Sequence, residues 1–386
     1  MRLAVVTNIL APYRVPLFEE LARRCALKVF TLAERHANRD WAPAKSDFAT
    51  LTLPGVQLRG GSLDPVHLNL GAWRALRDFR PDVVLGGGFT PAHLEALAWC
   101  RTHRSRYICW GELHLHHESE SSGLRRWVRH AAVRASSGWI ASSSDSRDAF
   151  VHYGASPERV LVSLMPVRNA QFRRHAEESC AGGLAGEIRQ RYGTPLILGV
   201  GRLGTRKGWP QLLQALRLLR REIRECSLVI AGEGAARAEL EALTESLGLD
   251  RVFFIGSREL SDIAALYAAA DVFAFPTLAD TYGAVLAEAV ACGTFAVSSI
   301  HAGATRDLIA NGESGITVDP TDPAALADGL LRALRLSANE RAAMAARARD
   351  RLPADDIVAG AAEILGYAEA LCRPGAWPQV RAAPGS

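Results

Sequence analysis

The chain has 386 residues, 48% hydrophobic and 22% charged, a balance that fits a soluble globular protein and excludes a disordered or fibrous one. That length predicts two domains, each large enough for its own core. The net charge of +4 is small and scattered, which argues against a nucleic-acid partner and stays compatible with anionic membranes or phosphorylated substrates.

Arg2 to Thr7 reads as a strand, too short for the apolar core of a signal peptide, and no apolar run approaches membrane-spanning length. The expected location is therefore cytoplasmic, with peripheral contact at the inner face of a membrane left open. Seven cysteines are scattered, with no C-x-x-C pair, and read as buried free thiols in a reducing compartment.

The first strand runs into Tyr13 and Arg14 ahead of a helix from Val15 to Arg24. Strand, loop and helix at the start imply an α/β domain with a ligand edge at the strand's C-terminal end. Tyr13 and Arg14 are either substrate contacts or a solvated helix start. Strands follow at 27–32 and 82–85, with a helix at 72–79 between them. The second of these strands leads into Gly86-Gly87-Gly88, where a ligand or a second backbone can come close. The strand from Tyr107 to Trp110 enters Gly111-Glu112-Leu113-His114-Leu115-His116-His117-Glu118. This cluster suits three roles: a zinc site from its H-x-H spacing, a solvated loop, or a contact to an incoming substrate. The next helix, Leu124 to Arg134, has a basic face suited to solvent, anionic lipid or a lipid-diphosphate. Ser142 to Asp145 supplies an N-cap for the helix to Tyr153. The first domain ends on a strand at 159–163, and 175–186 reads as a polar connector, with the domain boundary near 170.

The second domain opens on the strand Leu196 to Val200 and then G-x-G-x-x-G from Gly199 to Gly204. A dinucleotide fingerprint would place its third glycine in a helix start, with an acid at the end of the next strand. Here the helix is expected only after Pro210, and Glu233 falls too late for that acid. The better reading is a glycine turn carrying two cations, Arg202 and Lys207, suited to a diphosphate. Gly232-Glu233-Gly234 and Gly256-Ser257-Arg258 close the next two strands, and Ser261 is expected to cap the following helix. From Asp271 to Ser299 the chain reads strand, loop, helix, turn, strand. Gly283 opens the helix 284–291 and Gly293 closes it as a left-handed cap. Asp280 and Glu288 stand seven residues apart around a helix N-terminus. Backbone amides there bind phosphate and carboxylates bind sugar hydroxyls, so a nucleotide sugar fits. Further helices begin at Ala324 and Asn339, and a last helix spans 354–371.

The run Asp280-Thr281-Tyr282-Gly283, then Glu288-Ala289-Val290-Ala291-Cys292-Gly293, resembles the acid-x7-acid signature of the retaining family-4 glycosyltransferases of the GT-B fold. Asp replaces the usual first Glu, Tyr the usual Phe, and the Pro common after the closing Gly is absent. The Gly201-Arg202-Leu203 to Lys207-Gly208 loop, the Gly232-Glu233-Gly234 turn and the Pro12-Tyr13-Arg14 segment resemble the same family. The resemblance implies an α/β fold of two Rossmann-like, doubly wound domains facing across a cleft. They would be 1–170, completed by helix 354–373, for the acceptor, and 171–353 for the nucleotide sugar. It implies transfer of a sugar to an acceptor hydroxyl with retention, for a sugar, lipid-linked or glycan acceptor in cell-surface synthesis. Arg202 and Lys207 would hold the diphosphate and Glu288 the ribose hydroxyls. Asp280 and the amides of Thr281, Tyr282, Gly283 and Ala284 would hold sugar and phosphate. Gly201, Glu233, Gly256 and Ser257 would line the nucleotide site. Glu112 or His114 would act at the reacting hydroxyl, with Tyr13, Arg14, Gly87, Gly88 and His116 on the acceptor side. With no D-x-D present, no metal or other cofactor is expected. A nucleotide-sugar 2-epimerase of the same fold and a non-catalytic binding protein remain as alternatives.

Overall fold

A computed structural model describes residues 1–35, 46–58, 66–115 and 122–373. Contacts divide the chain into two units, one running to Pro166 and resuming at Ile357, the other spanning Val167–Asp356.

The first unit's strands are β1 (Arg2–Thr7), β2 (Ala26–Thr31), β3 (Ala49–Thr52), the pair β4 (Gly55–Leu58) and β5 (Val66–Asn69), β6 (Val83–Gly86), β7 (Arg106–Gly111), β8 (Gly138–Ala141) and β9 (Val160–Val162). Seven of them form one sheet in the order β3-β2-β1-β6-β7-β8-β9, every neighbouring pair parallel. Runs such as Leu3–Val6 and Val83–Leu85 are apolar throughout because helices cover both faces. The strand order reverses between β1 and β6, the place where such sheets bind ligands. β4 and β5 make an antiparallel pair that the sequence did not signal. Asn69 ties it down, donating from Nδ2 to the Leu32 and Leu53 carbonyls, each at 2.8 Å.

The helix Asp356–Cys372 completes this unit. Ala361, Ile364, Ala368 and Leu371 join the core that Leu3, Val5 and Phe18 form. Tyr367 donates to the Arg159 carbonyl at 2.6 Å and accepts from the Trp139 N–H at 3.0 Å.

The second unit carries β10 (Leu196–Val200), β11 (Ser227–Ala231), β12 (Val252–Gly256), β13 (Val272–Phe275), β14 (Ala296–Ser299) and β15 (Ile316–Val318). Their order, β12-β11-β10-β13-β14-β15, is again all parallel and reverses between β10 and β13. Several expectations need correction here. The stretch read as a polar connector is helical, over Asn169–Ala181 and Leu184–Tyr192. Its polarity misled because only Phe172, Ala176 and a few small residues face the core. The helix expected after Pro210 begins at Trp209, with Pro210 in its first turn, where a missing N–H costs nothing. Glu259, not Ser261, occupies the N-cap of the helix Leu260–Ala269. All seven cysteines are free, but Cys180 and Cys372 are exposed rather than buried.

Asp356 secures the start of this unit. Its carboxylate accepts the Val167 N–H at 2.5 Å and the Asn169 N–H at 2.9 Å. Between them Arg168 stands at φ +67°, a left-handed conformation unusual for a side chain with a Cβ.

Candidate functional site

The loops after β10 and β13 flank the switch point of the second sheet. After β10 the chain makes a 3-10 turn, Thr205–Lys207, and then Gly208 at φ +69°. A Cβ on Gly208 would stand 1.8 Å from the Pro276 carbonyl oxygen, so the two loops touch backbone to backbone. The Arg206 carbonyl accepts the Leu278 N–H at 2.8 Å and the Thr277 hydroxyl at 3.1 Å. Trp209 is buried beneath the turn, and its indole N–H donates to the Arg202 carbonyl at 3.0 Å. Gly208→Ala combines a left-handed backbone that is costly for a side chain with a steric clash, and should cost about 2–4 kcal/mol. Chemical denaturation measures that cost; a change under 1 kcal/mol would mean that the loops are not locked together.

This locking brings Lys207 Nζ to 2.5 Å from Asp280 Oδ2. The other Asp280 oxygen accepts the Tyr282 N–H at 3.2 Å. The Asp280 backbone is held as well, donating to the His301 carbonyl at 3.2 Å and accepting from Gly303 at 3.1 Å. One of the four amides expected for phosphate is thus engaged by Asp280. The Tyr282 side chain, expected at the donor, is 1% exposed and lies in the core. Thr281 is exposed, and Ala284 begins the helix Ala284–Ala291 after Gly283 at φ +95°.

Glu288 lies on that helix, partly exposed. Burial pushes its carboxyl up to about 7, against the opposing effects of the Tyr267 hydroxyl and the Arg168 charge. Tyr267 Oη is 3.3 Å from Glu288 Oε2 and 3.0 Å from the Val285 carbonyl oxygen. Tyr267 was not singled out from sequence, because no motif marks a tyrosine on a different helix.

Arg202 is exposed and Gly201 sits at φ +149° beside the Trp209 ring. Glu233 is 51% exposed and paired with Arg237 at 2.8 Å. Gly256, at φ +75°, lets the Glu233 carboxylate lie where its Cβ would be, and Ser257 is exposed next to it. The loop after β10 enters a 3-10 turn rather than a helix at Gly204, so the dinucleotide geometry is not formed.

In the first unit, Arg14 Nη2 meets Glu112 Oε1 at 2.6 Å. Its guanidinium stacks on Trp110, 4.6 Å from the ring centroid, and passes near Tyr13 at 5.8 Å. Burial acts to lower the Arg14 pKa; Tyr13 and Glu112 outweigh it, and the pKa is raised. Gly87 forms the floor beside this pair, where a Cβ would be 3.9 Å from Arg14 Nη1 and 3.7 Å from the Val6 and Trp110 carbonyls. These groups stand at the switch point between β1 and β6. Gly86 and Gly88 have packing reasons: Tyr107 fills the Cβ position of the first, and His93 lies against the second. His93 is buried and pushed down to about 4 by that burial, so it is neutral. His114 Nε2 lies 3.3 Å from Asp145 Oδ2, a partner the sequence did not indicate. His116, like His117 and Glu118, falls outside the described residues. Among the described residues no three potential metal ligands converge.

Two doubly wound α/β units with candidate ligand groups at their switch points define the GT-B class, and solved structures agree on the fold. HepE of Anabaena in complex with UDP superposes with a TM-score of 0.73 at 20% identity, covering 95% of this chain and 99% of that one. WaaG, a glycosyltransferase involved in lipopolysaccharide biosynthesis, gives 0.64 at 21% identity, covering 94% and 99%. Residues 187–351 match the family model of the group 1 glycosyl transferases. A glycogen synthase of Mycobacterium tuberculosis is 30% identical over 303 residues, 78% of this chain and 69% of its own length. The chain belongs to the group 1 glycosyltransferase family. A D-inositol 3-phosphate glycosyltransferase of Xylanimonas cellulosilytica is 37% identical over 227 residues, 56% of this chain and 53% of the relative. The match thus spans about half the length of that relative. Among the described residues no helix is long and apolar enough to cross a membrane.

Proposed function

We propose that the chain transfers a sugar from a nucleotide-sugar donor to an acceptor hydroxyl, with retention and without a metal. The observation that carries this is the Lys207–Asp280 pair at 2.5 Å, which joins the two loops of the second switch point. Lys207 and Arg202 are the cations assigned to the diphosphate. As the glycosidic bond breaks, negative charge grows on the leaving phosphate, and fixed cations there lower the barrier. Asp280 is the acceptor for donor-sugar hydroxyls, and Glu288 for ribose hydroxyls. Arg14, Glu112 and His114 serve the acceptor side, and the departing phosphate oxygen takes the acceptor's proton.

The test is a thermal-shift panel of UDP-, GDP-, ADP- and TDP-sugars, with magnesium or with EDTA. UDP-sugars come first because HepE binds UDP. A ligand at a hundred times its dissociation constant stabilises by about 2.7 kcal/mol. One nucleotide class should shift the protein equally in magnesium and EDTA. A response to NAD or NADP alone, or none to any nucleotide sugar, would overturn the proposal. Conversion of a bound donor to its epimer without any acceptor would favour the 2-epimerase.

The proposed acceptor is a sugar, a lipid-linked sugar or a glycan, and the helix Gly123–Ala135 is the proposed membrane contact. Leu124 is 71% and Trp127 67% exposed, and Arg125 and Arg126 lie between them. Exposed aromatic and aliphatic side chains flanked by arginine suit an anionic bilayer surface. Binding to vesicles containing phosphatidylglycerol should weaken at least tenfold in Trp127→Ala. Equal sedimentation of both proteins with vesicles would remove this contact.

A further inference from the structure

We propose that the second unit holds another anion site, at the sheet edge opposite the Lys207–Asp280 loops, which binds a small phosphate-bearing metabolite. A cavity of about 530 Å³ opens there. Its wall includes Asp271, immediately before β13, and Phe295, immediately before β14. It therefore lies at the N-terminal ends of strands whose C-terminal ends carry the Asp280 loop.

Four arginines line it from three helices, and one of them, Arg341, also donates from Nη1 to the Leu336 carbonyl at 2.6 Å. Arg173 comes from Asn169–Ala181, Arg189 from Leu184–Tyr192, and Arg341 and Arg349 from Ala338–Arg349. Two carboxylates share the wall, Asp271 and Glu177. Asp271 is already occupied: Oδ2 accepts the Leu196 N–H at 2.8 Å, and Oδ1 faces Arg341 at 3.3 Å and Arg189 at 3.8 Å. Four positive charges against two negative leave a surplus of two, which matches a phosphate monoester dianion. Arg173 Nε is buried, and among the described residues it has no hydrogen-bond partner. Buried donors in native folds are almost always paired with protein, water or ligand, so this N–H has a bond to offer such a partner. Guanidinium forks fit phosphate oxygens in pairs, and the volume suits a small molecule rather than a polymer. Tyr267 lines the same cavity, and its hydroxyl lies 3.3 Å from Glu288. A bound anion would thus stand one side chain away from that carboxylate.

Cys180 is exposed and lines the cavity, so it reports locally. Its alkylation by N-ethylmaleimide is followed by peptide mass spectrometry, with inorganic phosphate, a hexose 6-phosphate, or sodium chloride at matched ionic strength. Phosphate and the hexose phosphate should slow alkylation at least fivefold where chloride does not. The half-protecting concentration should rise at least tenfold in Arg173→Gln and in Arg349→Gln, the second guarding against misfolding of the first. Lys207→Ala should leave protection unchanged, which separates this site from the donor loops. Tighter protection by the hexose phosphate marks a monoester metabolite as the ligand, and equal protection marks phosphate itself. Protection equal to that of chloride, or unaltered in both arginine variants, would overturn the proposal.

Discussion

Lys207→Ala is expected to lower kcat/KM by about 10²–10³-fold, the usual loss when one fixed electrostatic contact to a transition state is removed. The effect should fall mainly on kcat, because charge on the leaving diphosphate is greatest as the bond breaks. The geometry adds a sharper expectation. Lys207 is held by Asp280 at 2.5 Å, so its charge is already partly compensated before any phosphate arrives. Asp280→Asn removes that compensation and leaves Lys207 fully available. Nucleoside diphosphate should therefore bind Asp280→Asn at least as tightly as the wild type, although turnover falls with the lost sugar contact. Lys207→Ala should weaken nucleoside diphosphate and turnover together. Calorimetric titration with the diphosphate, beside initial rates, distinguishes the two variants. If Asp280→Asn and Lys207→Ala lose diphosphate affinity alike, the pair acts as a structural clasp and Lys207 is not the phosphate cation.

Local features of this fold were legible in the sequence, and long-range ones were not. Gly283 and Gly293 bracket the helix Ala284–Ala291 as read, because left-handed glycines leave a local mark. The alternation of apolar strands and amphipathic helices carried the α/β class, and the resemblance of the Asp280–Gly293 run carried its doubly wound form. The strand Ala49–Thr52 was silent, since every one of its side chains is exposed and no apolar pattern survives. At the site, the spacing of Asp280 and Glu288 was visible, but not the engagement of Asp280 by Lys207, 73 residues earlier. That engagement depends on Gly208 meeting Pro276, a contact between loops of two different strands. Asp145 beside His114 and Tyr267 beside Glu288 are likewise products of packing.

Glu288→Gln is expected to stabilise the protein and to impair it. Burial lifts the Glu288 carboxyl to about 7, above its ordinary value near 4.5. The folded state therefore binds a proton more readily than the unfolded state does, and stability contributed by this group falls as pH rises from about 4.5 through 7. A shift of that size corresponds to at most about 3 kcal/mol lost above pH 7. Glutamine keeps an oxygen for the Tyr267 hydroxyl and carries no charge, so the variant should gain stability over the wild type at pH 8 and match it near pH 4.5. Activity runs the other way. The ionised carboxylate is the stronger acceptor for ribose hydroxyls, so donor KM in the wild type should fall roughly tenfold between pH 6 and pH 8 as the group ionises. In Glu288→Gln that dependence should vanish, with KM high throughout. Urea denaturation at pH 5, 7 and 8.5, beside donor KM at the same values, measures both halves. Parallel stability profiles for the two proteins would show that Glu288 titrates as an ordinary surface acid. A flat wild-type KM with diverging stabilities would instead place Glu288 in the fold rather than at the ribose.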